Sequence, residues 1–235
     1  MFNKRHIVRT IAATVSILAL SFTAACGSGQ STASNSTDSD DITQQTYKPG
    51  KLTIATGQPA YEPWVMNDKP ESGEGYEAAV AYAVADKLGF KKSDVVWTRT
   101  AFDTAIAPGA KDWDFNIQQF GITDERKKAV DFSSSYYHDS QSVVVKKDSK
   151  FANATKVSDL KDATVGVMVG TLAYDYAKAN IKDDIQTFND DAALAQALDA
   201  GQIDALVTST VECVYMVQSE QVKDCLLYTS DAADE

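Results

Sequence analysis

His138 is one of two histidines in the chain, and the other, His6, lies near the start. With one imidazole in the body of the protein, neither a histidine-rich metal cluster nor a Ser-His-Asp relay has its parts. There is no Gly-rich run of the phosphate-cradling type. Asp103, Asp112 and Asp114 have the chemistry of general acids or bases, although solvated loop carboxylates read the same way. Cys213 and Cys225, 12 residues apart, have a spacing open to a disulfide in an exported chain. These residues assemble no evident catalytic set, and no metal and no cofactor are expected.

Lys4, Arg5 and Arg9 precede an apolar run from Ile11 to Phe22, and Thr23-Ala24-Ala25 leads into Cys26. A charged start, a short apolar stretch and small residues at a cut site form an export signal, residues 1–25, too short for a permanent membrane helix. The Cys after the small residues resembles the lipobox of bacterial lipoproteins, which implies cleavage before Cys26 and lipidation of its thiol. Thr23 stands where Leu is more usual, so cleavage after Ala25 without a lipid also fits. Residues 26–46 are rich in Ser, Thr, Asp and Gln, cannot bury enough surface to fold, and read as a tether. The whole chain carries 22 basic and 33 acidic residues; losing the leader leaves 19 basic residues and a net charge of −14. Such a body is a poor partner for nucleic acid. At the other end, Cys225–Glu235 resembles a translated sequencing adapter, which implies a different native continuation after Asp224 and leaves Cys213 as a lone buried thiol.

The elements that would position a site alternate along the body. Lys51–Thr56 has a strand pattern. Tyr76–Leu88 places Tyr76, Val80, Ala83, Val84 and Leu88 on one helical face, and Gly89 suits its C-cap. Asp94–Thr98 predicts a strand, Phe102–Ala107 a short helix and Asp114–Gln118 a third strand, with Thr123 an N-cap followed by Asp124 and Glu125. The pattern then restarts. Strands are predicted at Gln141–Lys147, Thr164–Val169, Asp184–Phe188 and Ile203–Thr208, and helices from Gly170-Thr171 to Asn180, at Asp191–Ala200 and up to Gln218. Two α/β halves joined near Ser140 predict two lobes, each a mainly parallel sheet flanked by helices, with a ligand cleft between them at the carboxyl ends of strands.

Three sequence blocks carry a family resemblance. Lys51–Thr56 is followed by Pro59-Ala-Tyr-Glu-Pro-Trp64, and Gly75-Tyr76-Glu77 opens a helix ending Lys87-Leu-Gly-Phe90. Phe120-Gly-Ile-Thr-Asp-Glu-Arg126 then precedes Val130-Asp-Phe-Ser133 and Tyr136-Tyr137. Together they resemble the bacterial extracellular solute-binding proteins of family 3, the polar amino acid transporter type, over about residues 51–218. The resemblance implies a type II periplasmic-binding-protein fold, with lobe 1 at 47–137 and lobe 2 at 142–224. The family's usual return to lobe 1 is missing from this sequence.

Position by position, it implies that Arg126 grips a ligand carboxylate with its planar fork. Tyr61 and Trp64 would stack on the ligand or cover a cationic group, Phe102 would form an apolar wall, and Gln118 and Gln119 would bond polar groups. Gly170 and Thr171 would offer backbone N–H groups at a helix start. Surface and core readings remain open for Arg126, Trp64 and Phe102. Three positions depart from the pattern. Gly121 stands where Ser or Thr is frequent, Gln58 where Asp is frequent, and Ser209 where an Asp usually pairs with the α-ammonium. Glu212, one turn later, is the candidate replacement. The expected molecule is a monomeric, lipid-anchored, extracytoplasmic binding protein that delivers an amino acid-like solute to ABC permease subunits. A dehydratase-like enzyme of the same fold and a surface sensory module are the alternatives.

Overall fold

The computed structural model describes residues 41–229. The expected signal peptide, Cys26, most of the expected tether and residues 230–235 lie outside the described residues. Asp41–Thr46, expected in the tether, instead begin the ordered body: Ile42–Gln44 form a turn of 3₁₀ helix capped by Asp41, and the Gly50 N–H donates to the Thr43 carbonyl at 2.8 Å.

Lobe 1 contains β1 (Leu52–Gly57), α1 (Tyr76–Lys87), β2 (Val95–Thr100), α2 (Phe102–Ile106), β3 (Phe115–Asn116) and α3 (Asp124–Lys127). Its sheet has the order β2-β1-β3, all parallel, with Ile54 opposite Trp97 and Phe115. Every residue of β1 is buried, as expected for a central parallel strand covered on both faces. The face of α1 differs from the sequence reading. Glu77, Ala78, Ala81 and Ala85 are its buried residues, Tyr76 and Ala83 are exposed, and Val80, Val84 and Leu88 flank the contact. A row of alanines lets the helix backbone sit close on the sheet, which larger residues would prevent. The third strand is also shorter than expected, and just before it the Asp114 carboxylate accepts the Tyr47 N–H at 2.5 Å and the Thr53 N–H at 2.7 Å. That tie gives Asp114 a structural role.

Lobe 2 contains β4 (Gln141–Lys146), β5 (Val165–Met168), α4 (Leu172–Asn180), β6 (Ile185–Phe188), α5 (Asp191–Asp199), β7 (Ala205–Ser209), α6 (Thr210–Gln218) and β8 (Cys225–Thr229). The sheet order is β6-β5-β7-β4-β8, with β4 antiparallel to both neighbours and the other pairings parallel. Val143, Val145, Val165 and Val207 bury one face; Val144, Leu194, Leu198 and Leu206 bury the other. β8 has no counterpart among the predicted elements. Cys213 and Cys225 are both buried and both free, so their spacing does not form a disulfide. The chain passes between lobes just before β4, where the Ser140 carbonyl accepts the Thr210 N–H at 2.8 Å. No helix among the described residues is long and apolar enough to cross a membrane.

Candidate functional site

A cavity of about 460 Å³ lies between the lobes, within the size range of small-molecule sites. Its walls come from the carboxyl ends of strands in both lobes. Gly57 ends β1, Gln118–Gly121 follow β3, Met168 ends β5, Asp191 follows β6, and Thr208 and Ser209 end β7. Parallel strands all deliver their following loops to one edge, which is why the crevice forms there.

Arg126 lies in the short helix α3, whose start is fixed by Thr123: the threonine Oγ1 accepts the Arg126 N–H at 3.2 Å. Its guanidinium donates to the Gly121 carbonyl and, across the cleft, to the Gly170 carbonyl, both at 2.8 Å. Phe102 and Phe120 stack with centroids 4.1 Å apart, and the guanidinium carbon lies 5.8 and 5.6 Å from the two ring centres. Burial moves the Arg126 pKa down, but guanidinium starts so high that its charge persists. Two of its five N–H groups hold carbonyls; a planar cation fixed on aromatic faces can present the rest to an anion.

Tyr61 crosses from lobe 1 to the start of α5, where its hydroxyl accepts the Ala192 N–H at 3.4 Å. Burial shifts its phenol pKa upward, so it is a neutral hydrogen-bonding group. Trp64 is 3% exposed and meets Tyr76 and Tyr137 edge-on at 5.9 and 5.2 Å, yet it also lines the cavity, and its indole N–H has no partner. Packing and wall are thus one role. Gln118 accepts the Asn116 side-chain N–H at 3.2 Å. Gln119, at φ 52°, donates through both its backbone and side-chain N–H groups to Glu77.

On the lobe 2 side, Thr171 caps α4: its Oγ1 accepts the Tyr174 N–H at 3.4 Å and its hydroxyl donates to the Met168 carbonyl at 2.7 Å. Gly170, at φ 74°, is not in the cavity wall and contributes through its carbonyl to Arg126. Ser209 is in the wall, but its hydroxyl oxygen accepts the Glu212 N–H at 3.2 Å as the cap of α6. The Glu212 carboxylate accepts the Thr208 hydroxyl at 2.8 Å and is raised in pKa, by burial first. Gln58 is exposed and outside the wall.

Glu77, Tyr136, Phe120 and Asp191 also belong to the cavity, although the sequence reading did not single them out as site residues. Glu77 is fully buried and accepts from Gln119 and the Tyr136 hydroxyl; burial outweighs those bonds and pushes its pKa up to about 7. Asp191 reads in sequence as an ordinary acid at a helix start, and only the folded chain buries it. Glu77 was likewise hidden, because the face that α1 buries is not the one its apolar spacing predicts.

The geometry of a two-lobed cleft is matched by similarity to known proteins. Residues 52–207 match the bacterial extracellular solute-binding proteins, family 3. The chain belongs to that family. The L-cystine-binding protein TcyJ of Escherichia coli strain K12 is 31% identical over 174 residues, which cover 73% of this chain and 63% of that protein. The glutamine-binding protein of Geobacillus stearothermophilus is 32% identical over 225 residues, covering 87% and 82%. A solved structure of an ancestral arginine-binding protein bound to glutamine superposes with a TM-score of 0.63 at 30% identity, over 78% of this chain and 80% of that one. The family-3 chain thus spans less than two thirds of the cystine-binding protein's length. All three relatives are named as binding proteins and none as an enzyme.

Proposed function

We propose that this family-3 protein is the capture component of an ABC importer. It closes its two lobes on an amino acid and passes it to a permease. The observation that carries this reading is Arg126, a half-buried guanidinium held on two aromatic faces at the lip of a cavity shared by both lobes. Such a cation is suited to a ligand carboxylate, and ligand contacts to both lobes favour the closed form by differential affinity. The relatives named for cystine, glutamine and arginine support an amino acid as the ligand class. A monomeric body held outside the cytoplasmic membrane by a lipid on Cys26 completes the proposal.

The test is calorimetric titration with the twenty L-amino acids, then of the best binder against Arg126→Ala. The substitution should weaken binding by roughly 30-fold or more, the loss expected when one partner of a buried charge pair is removed. Arg126→Lys should recover only part, because a point charge cannot reproduce the planar fork. Binding by Arg126→Ala at parental affinity would overturn the carboxylate assignment.

A further inference from the structure

Arg126 and Tyr61 tie the lobes together from within the ligand cavity, through the Gly170 carbonyl and the Ala192 N–H. A further tie lies outside it. The Tyr215 hydroxyl, on α6 of lobe 2, donates to Oε2 of Glu62, in the loop that follows β1 of lobe 1. Neither residue is in the cavity wall, and Tyr215 instead lines a separate groove with Pro63. A ligand in the cavity therefore leaves this bond in place, whereas it must compete with the bonds that Arg126 and Tyr61 make.

Both residues are half-buried, and a partly exposed pair is commonly worth little, because ordering two side chains offsets what the contact gains. Here each end is held by its own lobe. The Glu62 Oε1 accepts the Asn67 N–H at 2.8 Å, which leaves Oε2 for the phenol. Arg99 of β2 staples the same loop, donating to the Gly57 carbonyl at 2.7 Å and to the Asp68 carboxylate and carbonyl at 2.6 Å each, and the Asp68 carboxylate accepts the Ala60 N–H at 2.9 Å. On the other side, Ser209 caps α6, and Cys213 and Met216 bury that helix in lobe 2. A fixed donor meeting a fixed acceptor gives up little freedom. The bond to Tyr215 holds the Glu62 pKa below its ordinary value, and the bond to Glu62 holds the Tyr215 pKa above its own, so the acceptor is charged and the phenol keeps its proton. Such charge-assisted bonds are roughly twice as strong as neutral ones.

We propose that Glu62 and Tyr215 form an inter-lobe latch: they are positioning residues that set how readily the cleft closes, without touching the ligand. The inference rests on the reading of this protein as one that closes its lobes on a ligand. A hydrogen bond is lost once its ends part by about 1 Å beyond their normal separation, so opening of the cleft breaks it. Its free energy then belongs to the closed arrangement alone and favours that arrangement over the open one. Apparent affinity scales with the fraction of protein in the binding-competent state. Loss of the latch should therefore weaken every ligand by the same factor, whereas loss of a residue in the cavity wall discriminates among ligands.

The experiment compares the parent with Tyr215→Phe, Glu62→Ala and Glu62→Gln by two measurements. The first is the distance, without ligand, between spin labels carried by Lys128→Cys at the end of α3 and Ala179→Cys in α4, exposed positions on the helices that flank the Arg126–Gly170 contact. The second is calorimetric titration with the L-amino acids that the parent binds. Tyr215→Phe and Glu62→Ala should move the label distances to longer values and weaken all of those amino acids by one common factor, about three- to tenfold. Glu62→Gln keeps an oxygen acceptor without its charge and should lose less than Glu62→Ala. Tyr215→Phe combined with Glu62→Ala should lose no more than either alone, as for two ends of one bond. Parental label distances in Tyr215→Phe and Glu62→Ala overturn the latch, and a lowered melting temperature with those same distances assigns the pair a structural role only. Losses that differ widely from one amino acid to another also overturn it, by placing the pair in contact with the ligand. If no amino acid binds the parent, the amino acid reading fails, and the label distances still decide the latch.

Discussion

Glu77 shows how one buried group sets both local geometry and a pH response. Its carboxylate collects the Gln119 backbone N–H at 2.8 Å, the Gln119 amide and the Tyr136 hydroxyl, and so holds the left-handed residue that turns the chain from β3 toward Arg126. Its pKa stands near 7 against an ordinary value of 4.5, chiefly because burial disfavours the charged form. The folded state therefore holds this proton more tightly than the unfolded chain. The associated stability is fully present below about pH 4.5 and is lost as pH rises to about 7. Across that window the loss amounts to roughly 3 kcal/mol. Asp191 and Glu212 are shifted in the same direction and add to the slope. The melting temperature of the ligand-free protein should accordingly fall between pH 4.5 and 7.5, and Glu77→Gln should flatten that fall. Thermal unfolding at a series of pH values checks it, and an equally steep decline in Glu77→Gln would assign the effect elsewhere.

At the scale of elements, the two lobes meet where the loop before α3 faces the start of α4. A Cβ on Gly121 would lie 2.2 Å from the Leu172 Cδ1 and 3.1 Å from its Cγ. The absent side chain thus makes room for a residue of the opposite lobe, and the Gly121 carbonyl is left to hold Arg126. Gly121→Ala should reduce ligand affinity several-fold, since the leucine must swing aside or the lobes stay apart, while the stability of the ligand-free protein changes by less than about 1 kcal/mol. Adding Leu172→Ala should restore much of the affinity; a double variant no better than Gly121→Ala would show that this contact does not govern closure. Gly121 could be seen in the sequence as a departure, but Leu172, the reason for it, could not. The same division runs through the fold. Strand alternation, the Thr123 cap and the restart of the pattern after Ser140 are local signals, and the elements they predict are present within a few residues. The buried alanine face of α1, the short β3, the edge strand Cys225–Thr229 and the burial of Asp191 depend on which element packs against which, and local pattern carries no such information.

For the whole molecule, the proposed anchor links sequence to place. No helix of the described body is long and apolar enough to cross a membrane. The proposed leader would supply a mechanism: a basic start, an apolar run, Ala24-Ala25 and then Cys26. One lipid chain binds a bilayer only marginally, and stable attachment takes a second chain or a basic patch. The body that follows the leader has 19 basic and 33 acidic residues, so electrostatics cannot provide that second signal at an anionic surface. Attachment of this acidic protein would therefore depend on the lipid alone, and the polar stretch after Cys26 would keep the cleft clear of the bilayer. Cys26→Ser should move the protein from the membrane fraction to the soluble fraction after cell breakage, with ligand affinity unchanged, because the cleft is built entirely from residues beyond position 55. Fractionation followed by titration of the released protein reads both outcomes. Continued membrane retention of Cys26→Ser would mean that the attachment lies in another segment or a partner, and the lipid assignment would fall.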